Sequence, residues 1–117
     1  MNKGSTAEEY ACLHLKEQGM EIVARNWWCR SGEVDIVALD GPTLVFVEVR
    51  SRTGTRYGAP EESLSRSKLR RLWRAAHLYL GTIDPPFPVR FDVVAVSPDG
   101  IRHFRNAFSE QDVRQDR

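Results

Sequence analysis

The chain has 117 residues, a net charge of +1, and hydrophobic and charged fractions of 41% and 28%. This length predicts a single domain over residues 1–117 that buries a core without disulfides, with residues 109–117 as a polar tail that frays. A run of some eighteen apolar residues is absent, which excludes a membrane-spanning helix. Because Met1 leads into a polar segment, we expect no signal peptide and a cytoplasmic location. Cys12 and Cys29 lack the spacing of a zinc site.

Basic residues concentrate in residues 50–74. Eight basic side chains minus two glutamates leave this segment with a charge of +6 on a chain of net charge +1. A local basic field suits a polyanionic partner such as nucleic acid. The alternative is that these charges only solvate one face of a helix. The basic residues are Arg50, Arg52, Arg56, Arg66, Lys68, Arg70, Arg71 and Arg74.

Apolar periodicity and turn residues predict two helices and five strands in the order α-β-β-β-α-β-β. Ser5 or Thr6 can cap the first helix, and Gly19 ends it. This order is typical of an α/β or α+β fold with a mixed sheet. In chain order, the predicted elements are a helix over residues 6–18, strands over 20–27, 33–39 and 44–50, a helix over 61–80, and strands over 89–96 and 101–104.

Two carboxylates lie on the second and third predicted strands. A four-residue turn pairs Leu39 with Leu44, and the same register pairs Asp35 with Glu48. Strand alternation places Asp35 on the face of Val37 and Leu39. Directly opposed residues have Cβ atoms roughly 4.5–5.5 Å apart, so the hairpin brings the two carboxylates together.

Like charges in opposed positions repel and destabilise a sheet, so this pair needs compensation. A Mg²⁺ ion would supply it, because Mg²⁺ binds one or two carboxylates together with water and phosphate oxygens. We therefore take Asp35 and Glu48 as half of a divalent-metal site. The alternative is that Glu48 forms an ordinary ion pair with Arg50 or Arg52.

Glu8 lies by helical angle at the rim of the apolar arc of the first helix, from which it can approach the sheet while Glu9 stays in solvent. Helix position alone favours the alternative that Glu8 only complements the helix dipole. Asp92, between apolar residues of the fourth strand, is expected to make a structural pair with a group such as an arginine. At least one of Trp27 and Trp28 is expected in the core.

The second predicted helix carries basic residues beside its apolar stripe. Lys68 lies at the rim of the stripe and can reach the edge of the acidic site. Arg66, Arg70 and Arg74 follow one another at intervals of four residues farther round the helix, where they can contact a phosphate backbone. Alternatively, all four only make the helix soluble. The stripe consists of Leu69, Leu72, Trp73, Ala76, Tyr79 and Leu80.

Three segments together resemble the YraN family, a group of small bacterial proteins with a restriction-endonuclease-like fold. They are GEVDIVA at residues 32–38, VFVEVRSR at 45–52 and RFDVV at 90–94. The pattern is also similar to that of Holliday junction resolvases. The resemblance spans nearly the whole chain and implies an α/β fold in which helices flank a restriction-endonuclease-like mixed sheet.

The resemblance also implies site residues. Glu8 matches the helix glutamate of the family, and Asp35 and Glu48 match the acidic pair of the PD-(D/E)xK signature. The backbone carbonyl of Val49 is a further metal ligand in similar sites. Arg50 stands where the signature has lysine, the residue associated with positioning or deprotonating the attacking water. The resemblance thus favours Glu8 as a third metal ligand.

Arg50 is the main departure from the pattern; Ala7, in place of the usual glycine, is a minor one. Arginine stays protonated, with a pKa above about 12, so it cannot act as a base. It can still hold a phosphate and stabilise developing charge. Lys68 is a conceivable substitute for the missing lysine.

The resulting hypothesis is a Mg²⁺- or Mn²⁺-dependent endonuclease-like protein that acts on DNA, including branched or otherwise structured DNA. Arg52, Arg66, Arg70 and Arg74 would track the DNA backbone, and analogy with resolvases suggests a homodimer. One alternative is a nucleic-acid-binding module with a degenerate nuclease site. Another is a small interaction protein whose acidic pair only belongs to an ion-pair network. No membrane partner is expected.

Overall fold

The computed structural model describes residues 3–51, 66–81 and 86–109, and the element order within them is the predicted one. Neither described helix is long and apolar enough to cross a membrane. Residues 61–65 of the second predicted helix and residues 110–117 of the predicted tail lie outside the described part. The elements are α1 (Lys3–Glu17), β1 (Glu21–Cys29), β2 (Gly32–Asp40), β3 (Thr43–Ser51), α2 (Arg66–Leu80), β4 (Val89–Ser97) and β5 (Gly100–Phe104).

The first helix begins earlier than predicted. Because α1 starts at Lys3, Ser5 and Thr6 lie inside it rather than capping it. Its end is where the sequence predicts it, at Gly19, which has a φ of 90°. The Met20 N–H donates to the Leu15 carbonyl at 3.0 Å, so the chain leaves the helix through a glycine turn that satisfies this carbonyl.

The five strands form one sheet in the order β1-β2-β3-β4-β5. Strands β3 and β4 are parallel and the other neighbours are antiparallel, so the sheet is mixed. A parallel pair needs a long crossover, and α2 lies within it. The structure thus confirms the predicted α/β fold and is consistent with a restriction-endonuclease-like architecture.

Each helix covers one face of the sheet. Beneath α1, Ala11, Cys12 and Leu15 form a core with Ile36, Ala38, Val45, Val47 and Val94. Beneath α2, Leu72, Ala75 and Ala76 form a second core with Val34, Val37, Leu44, Phe46 and Phe91. The central strands are therefore apolar on both faces, as covered sheets require. The predicted stripe of α2 is confirmed, since all six of its residues belong to this second core.

The hairpin between β2 and β3 has the predicted register. Leu39 lies opposite Leu44, and the pairing runs from Asp40 opposite Thr43 to Ile36 opposite Val47. The turn is two residues long rather than four, because Asp40 and Thr43 themselves pair. Extended by one position, the register would pair Asp35 with Glu48, but the ladder stops just before them.

Candidate functional site

Strand β2 loses its regular alternation at Asp35. Val34 and Val37 both pack beneath α2, although strict alternation would place them on opposite faces. Ile36 packs beneath α1, and the Asp35 carboxylate lies beside that of Glu8 on α1. The prediction that Asp35 shares a face with Val37 is therefore wrong: two successive residues, Asp35 and Ile36, face α1.

The neighbouring strand β1 is distorted at the same level. Arg25 pairs with Ile36 and Trp27 with Val34, and Asn26 between them has a φ of 53°. A positive φ is unfavourable for residues other than glycine, and asparagine tolerates it better than most. Arg25 and Asn26 both contact α1, through Glu9 and Glu8 respectively. This matching irregularity in two strands accommodates the change of face at Asp35.

Three carboxylates meet where the strands are distorted. Oxygens of Glu8, Glu33 and Asp35 all lie within 4.8 Å of one another. Glu8 comes from α1 and is only 9% exposed, whereas Glu33 and Asp35 come from β2. The Asn26 side-chain amide donates to Glu8 Oε1 and to Glu33 Oε2, each at 2.8 Å. Asn26 thereby holds two of the acids side by side, and we call Glu8, Glu33 and Asp35 the carboxylate cluster.

The pKa of Asp35, one acid of the cluster, is shifted from its usual value. Burial raises its pKa to about 7, and the negative charge of Glu48 adds to the rise. A hydrogen bond of 2.8 Å from the Val49 backbone N–H to Asp35 Oδ2 opposes the rise. Because this N–H lies just past the end of the β2–β3 ladder, the side chain of Asp35 replaces a backbone acceptor there. Near neutral pH, a proton or a bound cation would therefore stabilise Asp35 in this buried position.

Glu48 is buried, with 5% exposure, and pairs with basic groups. Its Oε2 lies 3.4 Å from Arg50 Nη1 and 3.6 Å from Lys68 Nζ. The expected alternative, an ion pair between Glu48 and Arg50, is thus present, and Lys68 reaches the site from α2 as predicted. Val49 contacts Asp35 through its N–H, and metal binding by its carbonyl stays a prediction.

The predicted phosphate-contacting arginines lie mainly on α2. Arg70 is half-buried and Arg74 is exposed. The backbone of Arg66 starts α2, while its side chain and the whole of Arg52 lie outside the described part. Contact of these four residues with nucleic acid stays a prediction.

Two members of the site were not assigned from the sequence. Glu33 stands two positions before Asp35 on one strand, a spacing that places both side chains on one face and that offers a usable signal. Asn26 gives no such signal, because its role depends on a left-handed backbone conformation and on the approach of α1.

The prediction that Asp92 pairs with an arginine is confirmed. Arg90 contacts both carboxylate oxygens of Asp92, at 2.9 and 3.0 Å. His103 Nε2 lies 2.8 Å from Oδ2, and the Asn106 backbone N–H donates to Oδ1 at 3.0 Å. Asp92 is fully buried and committed to these partners, so it is a structural acid.

The protein thus has an α/β fold with a carboxylate cluster formed by one helix and one distorted strand. The charge of the buried Glu48, which has two basic partners, acts on this cluster. The model of the Uncharacterised protein family UPF0102 matches residues 7–96 of the chain. The chain belongs to this family, which confirms the resemblance to YraN proteins.

Curated relatives match over most of the chain. The UPF0102 protein of Cupriavidus taiwanensis is 47% identical, over 91% of this chain and 82% of the relative. The UPF0102 protein of Symbiobacterium thermophilum is 49% identical, over 90% and 94%. That of Nitrosomonas europaea is 41% identical, over 93% and 95%. Their names give family membership and no activity.

Proposed function

We propose that this protein is a divalent-metal-dependent, endonuclease-like phosphodiester hydrolase that acts on DNA, with branched or structured DNA among its substrates. The observation that carries the proposal is the carboxylate cluster, in which oxygens of Glu8, Glu33 and Asp35 lie within 4.8 Å of one another. Three acids at this spacing repel one another, and such repulsion is tolerated where a cation relieves it. The resemblance to nucleases supplies the reaction class.

The residues of the site fit Mg²⁺ or Mn²⁺. All the side-chain donors are carboxylate oxygens, which these hard ions prefer, and no cysteine or histidine belongs to the described cluster. Burial and the charge of Glu48 raise the pKa of Asp35, so a bound cation would stabilise its carboxylate. Glu8, Glu33 and Asp35 would hold the ion, and the family resemblance adds Glu48 and the carbonyl of Val49.

The basic residues of the site have different roles in this proposal. A bound divalent ion would lower the pKa of water and polarise a phosphate. Arg50 stays protonated and would hold the scissile phosphate, since a guanidinium suits bidentate phosphate contacts. Lys68 Nζ, 3.6 Å from Glu48 Oε2, would place a second positive charge where negative charge develops. Asn26 would keep Glu8 and Glu33 in position.

A metal titration followed by thermal unfolding tests the site directly. Metal that binds only the native state must raise its stability, by about 2.7 kcal/mol at a concentration one hundred times the Kd. We expect Mg²⁺ or Mn²⁺ to raise the Tm of wild type and not of Asp35→Asn or Glu8→Gln. Glu9→Gln is the matched control, because Glu9 is adjacent on α1 but exposed and paired with Arg25.

Cleavage assays test the activity itself. Wild type with Mg²⁺ or Mn²⁺ should cut single-stranded, duplex or junction DNA, and Asp35→Asn should not. The proposal fails if wild type cuts no form of DNA or RNA better than Asp35→Asn does. A Tm that no divalent ion changes would instead favour an interaction protein with an ordinary ion-pair network.

A second candidate is a nucleic-acid-binding module with a degenerate nuclease site. The observation in its favour is the Arg50–Glu48 pair. An arginine stands in place of the lysine of the signature, and it forms an ion pair with the glutamate that would bind the metal. This module would bind DNA in a salt-sensitive manner, and its binding would survive Glu48→Gln while no cleavage occurs.

A further inference from the structure

Trp28 is the most prominent exposed side chain near the carboxylate cluster. It is 70% exposed, whereas its neighbour Trp27 packs in the core beneath α2, edge to face with Tyr79. Successive residues of β1 thus send one indole into the core and the other into solvent. Trp27 thus contributes to the core, whereas most of Trp28 is accessible to solvent.

The register of the sheet places Trp28 beside the acids. Trp28 lies directly opposite Glu33, a member of the carboxylate cluster. Directly opposed residues have Cβ atoms roughly 4.5–5.5 Å apart, so the side chains of Trp28 and Glu33 are neighbours on one face of the sheet. Arg30, which is exposed, follows in the adjoining turn and adds a positive charge to the same corner of the molecule.

We propose that Trp28 is a stacking platform for an unpaired nucleobase next to the carboxylate cluster. This inference rests on the proposed function and specifies its substrate: DNA with a single-stranded nucleotide at the point of cleavage. A base within a duplex already has neighbours on both of its faces. An unpaired base can instead stack on an aromatic side chain, and such stacking tolerates any base.

The test compares binding of a labelled 20-nucleotide single strand and of its blunt duplex, in Mg²⁺ and in the Asp35→Asn background if cleavage interferes. Trp28→Ala should weaken single-strand binding roughly 5- to 100-fold and change duplex binding less than about twofold. Trp28→Phe keeps a ring and should retain most of the affinity. Phe87→Ala, which removes a 41% exposed aromatic just before β4, should change neither affinity.

Fluorescence adds a direct signature. Single-stranded DNA should quench the emission of the exposed indole, and Trp28→Phe should abolish that quenching. Equal losses on both probes, or no loss on the single strand, would overturn the inference. So would a wild-type dimer that Trp28→Ala converts to a monomer without a selective loss of single-strand binding, because Trp28 would then be a contact between two copies.

Two outcomes distinguish the stacking role of Trp28 from the proposed nuclease activity. A protein that cleaves DNA in an Asp35-dependent manner but binds single strands independently of Trp28 overturns only the stacking platform. A protein that binds single strands through Trp28 and cleaves nothing overturns only the nuclease activity.

Discussion

At the scale of single residues, the chemistry of the site centres on Asp35. Its pKa is raised to about 7, first by burial and then by the charge of Glu48. A buried carboxylate with poor compensation destabilises the folded state, and polar clusters of this kind occur at functional sites. The ionised Asp35 carboxylate thus destabilises the folded protein at neutral pH. A cation bound beside it would relieve this destabilisation.

Asp35→Asn should stabilise the metal-free protein at pH 8 by about 1–3 kcal/mol. Because the folded pKa of Asp35 is raised above its unfolded value near 3.8, its contribution to stability is fully present below pH 4 and is lost as pH rises to about 7. The amide cannot ionise and can still accept the hydrogen bond from Val49. Urea unfolding in EDTA at pH 5 and 8 measures the difference, which should shrink at pH 5.

The control for this prediction is Glu9→Gln, whose side chain is exposed and should leave the free energy of unfolding almost unchanged at both pH values. A variant Asp35→Asn that is less stable than wild type at pH 8, or equally stabilised at pH 5 and 8, would contradict the assigned environment of Asp35.

At the scale of elements, Asp92 joins three strands. Its partners Arg90 and His103 lie on β4 and β5, and Arg90 also contacts Asp40 at the end of β2, at 2.9 Å. Burial alone would raise the pKa of Asp92, but hydrogen bonds from His103, Arg90 and Asn106 lower it below the usual value. Asp92 therefore stabilises the fold as a carboxylate.

Asp92→Ala should destabilise the protein by about 3–5 kcal/mol, because it removes a buried carboxylate and leaves the half-buried Arg90 and His103 without this partner. Denaturant unfolding at pH 7 measures the loss. Asp99→Ala, in the exposed turn before β5, is the control and should cost little. A loss below about 1 kcal/mol for Asp92→Ala would show that its partners are satisfied in another way.

The difference in free energy of unfolding between wild type and Asp92→Ala should also depend on pH. Because the pKa of Asp92 is lowered in the folded state, its contribution to stability is lost in acid, and the difference should decrease below pH 4.

The packing of α1 against β5 includes a pair of histidines. His14 Nε2 lies 3.2 Å from His103 Nδ1, and the rings meet edge to face. Burial lowers the pKa of His14, and positive charge on His103 and on Arg105 lowers it further, while Glu17 opposes these effects. Protonation of His14 therefore weakens the contact between these two elements.

His14→Gln should reduce the loss of stability that wild type shows between pH 7 and pH 5. A lowered histidine pKa means that the unfolded chain binds the proton more readily, so stability is complete above about pH 6.5 and falls as the pH decreases below it. Urea unfolding at pH 7 and 5 measures the change. Leu13→Gln, an exposed neighbour on α1, should retain the wild-type dependence. Identical pH dependence in His14→Gln would contradict the prediction.

At the scale of the whole molecule, charge is distributed unevenly. The net charge of the chain is +1, yet residues 50–74 carry +6, and α2 brings part of this charge to the face opposite α1. Acidic groups meet on the α1 face, and Glu48 connects the two regions through Lys68. Under the proposed function, a polyanion would bind along α2.

Arg74→Ala should weaken DNA binding and reduce the salt dependence of the affinity. Each lost phosphate contact lowers the slope of log K against log salt by about 0.9 for duplex DNA. Affinity measured at several KCl concentrations tests this. Arg102→Ala on β5 is the control, since Arg102 lies over the Phe104 ring on a strand at the edge of the sheet and should leave the slope unchanged. Equal changes in the salt slope of both variants would show that DNA does not bind preferentially along α2.

The sequence by itself determined the order of the elements, the register of the β2–β3 hairpin and the apolar stripe of α2. These features follow from periodicity and turn residues, which act between neighbours in the chain. The helical angle of Glu8 also indicated that it can approach the sheet, and the family resemblance favoured it as a metal ligand.

Only the tertiary structure decided how the acids are grouped. Alternation was expected to place Asp35 with Val37, but distortion at Asn26 and Asp35 turns Asp35 toward Glu8 and Glu33. Glu48 instead pairs with Arg50 and with Lys68. The physical reason is that the distortion is maintained by side-chain contacts of Asn26 with Glu8 on α1 and with Glu33 on β2, which follow neither the helical nor the strand period and so leave no pattern in the sequence.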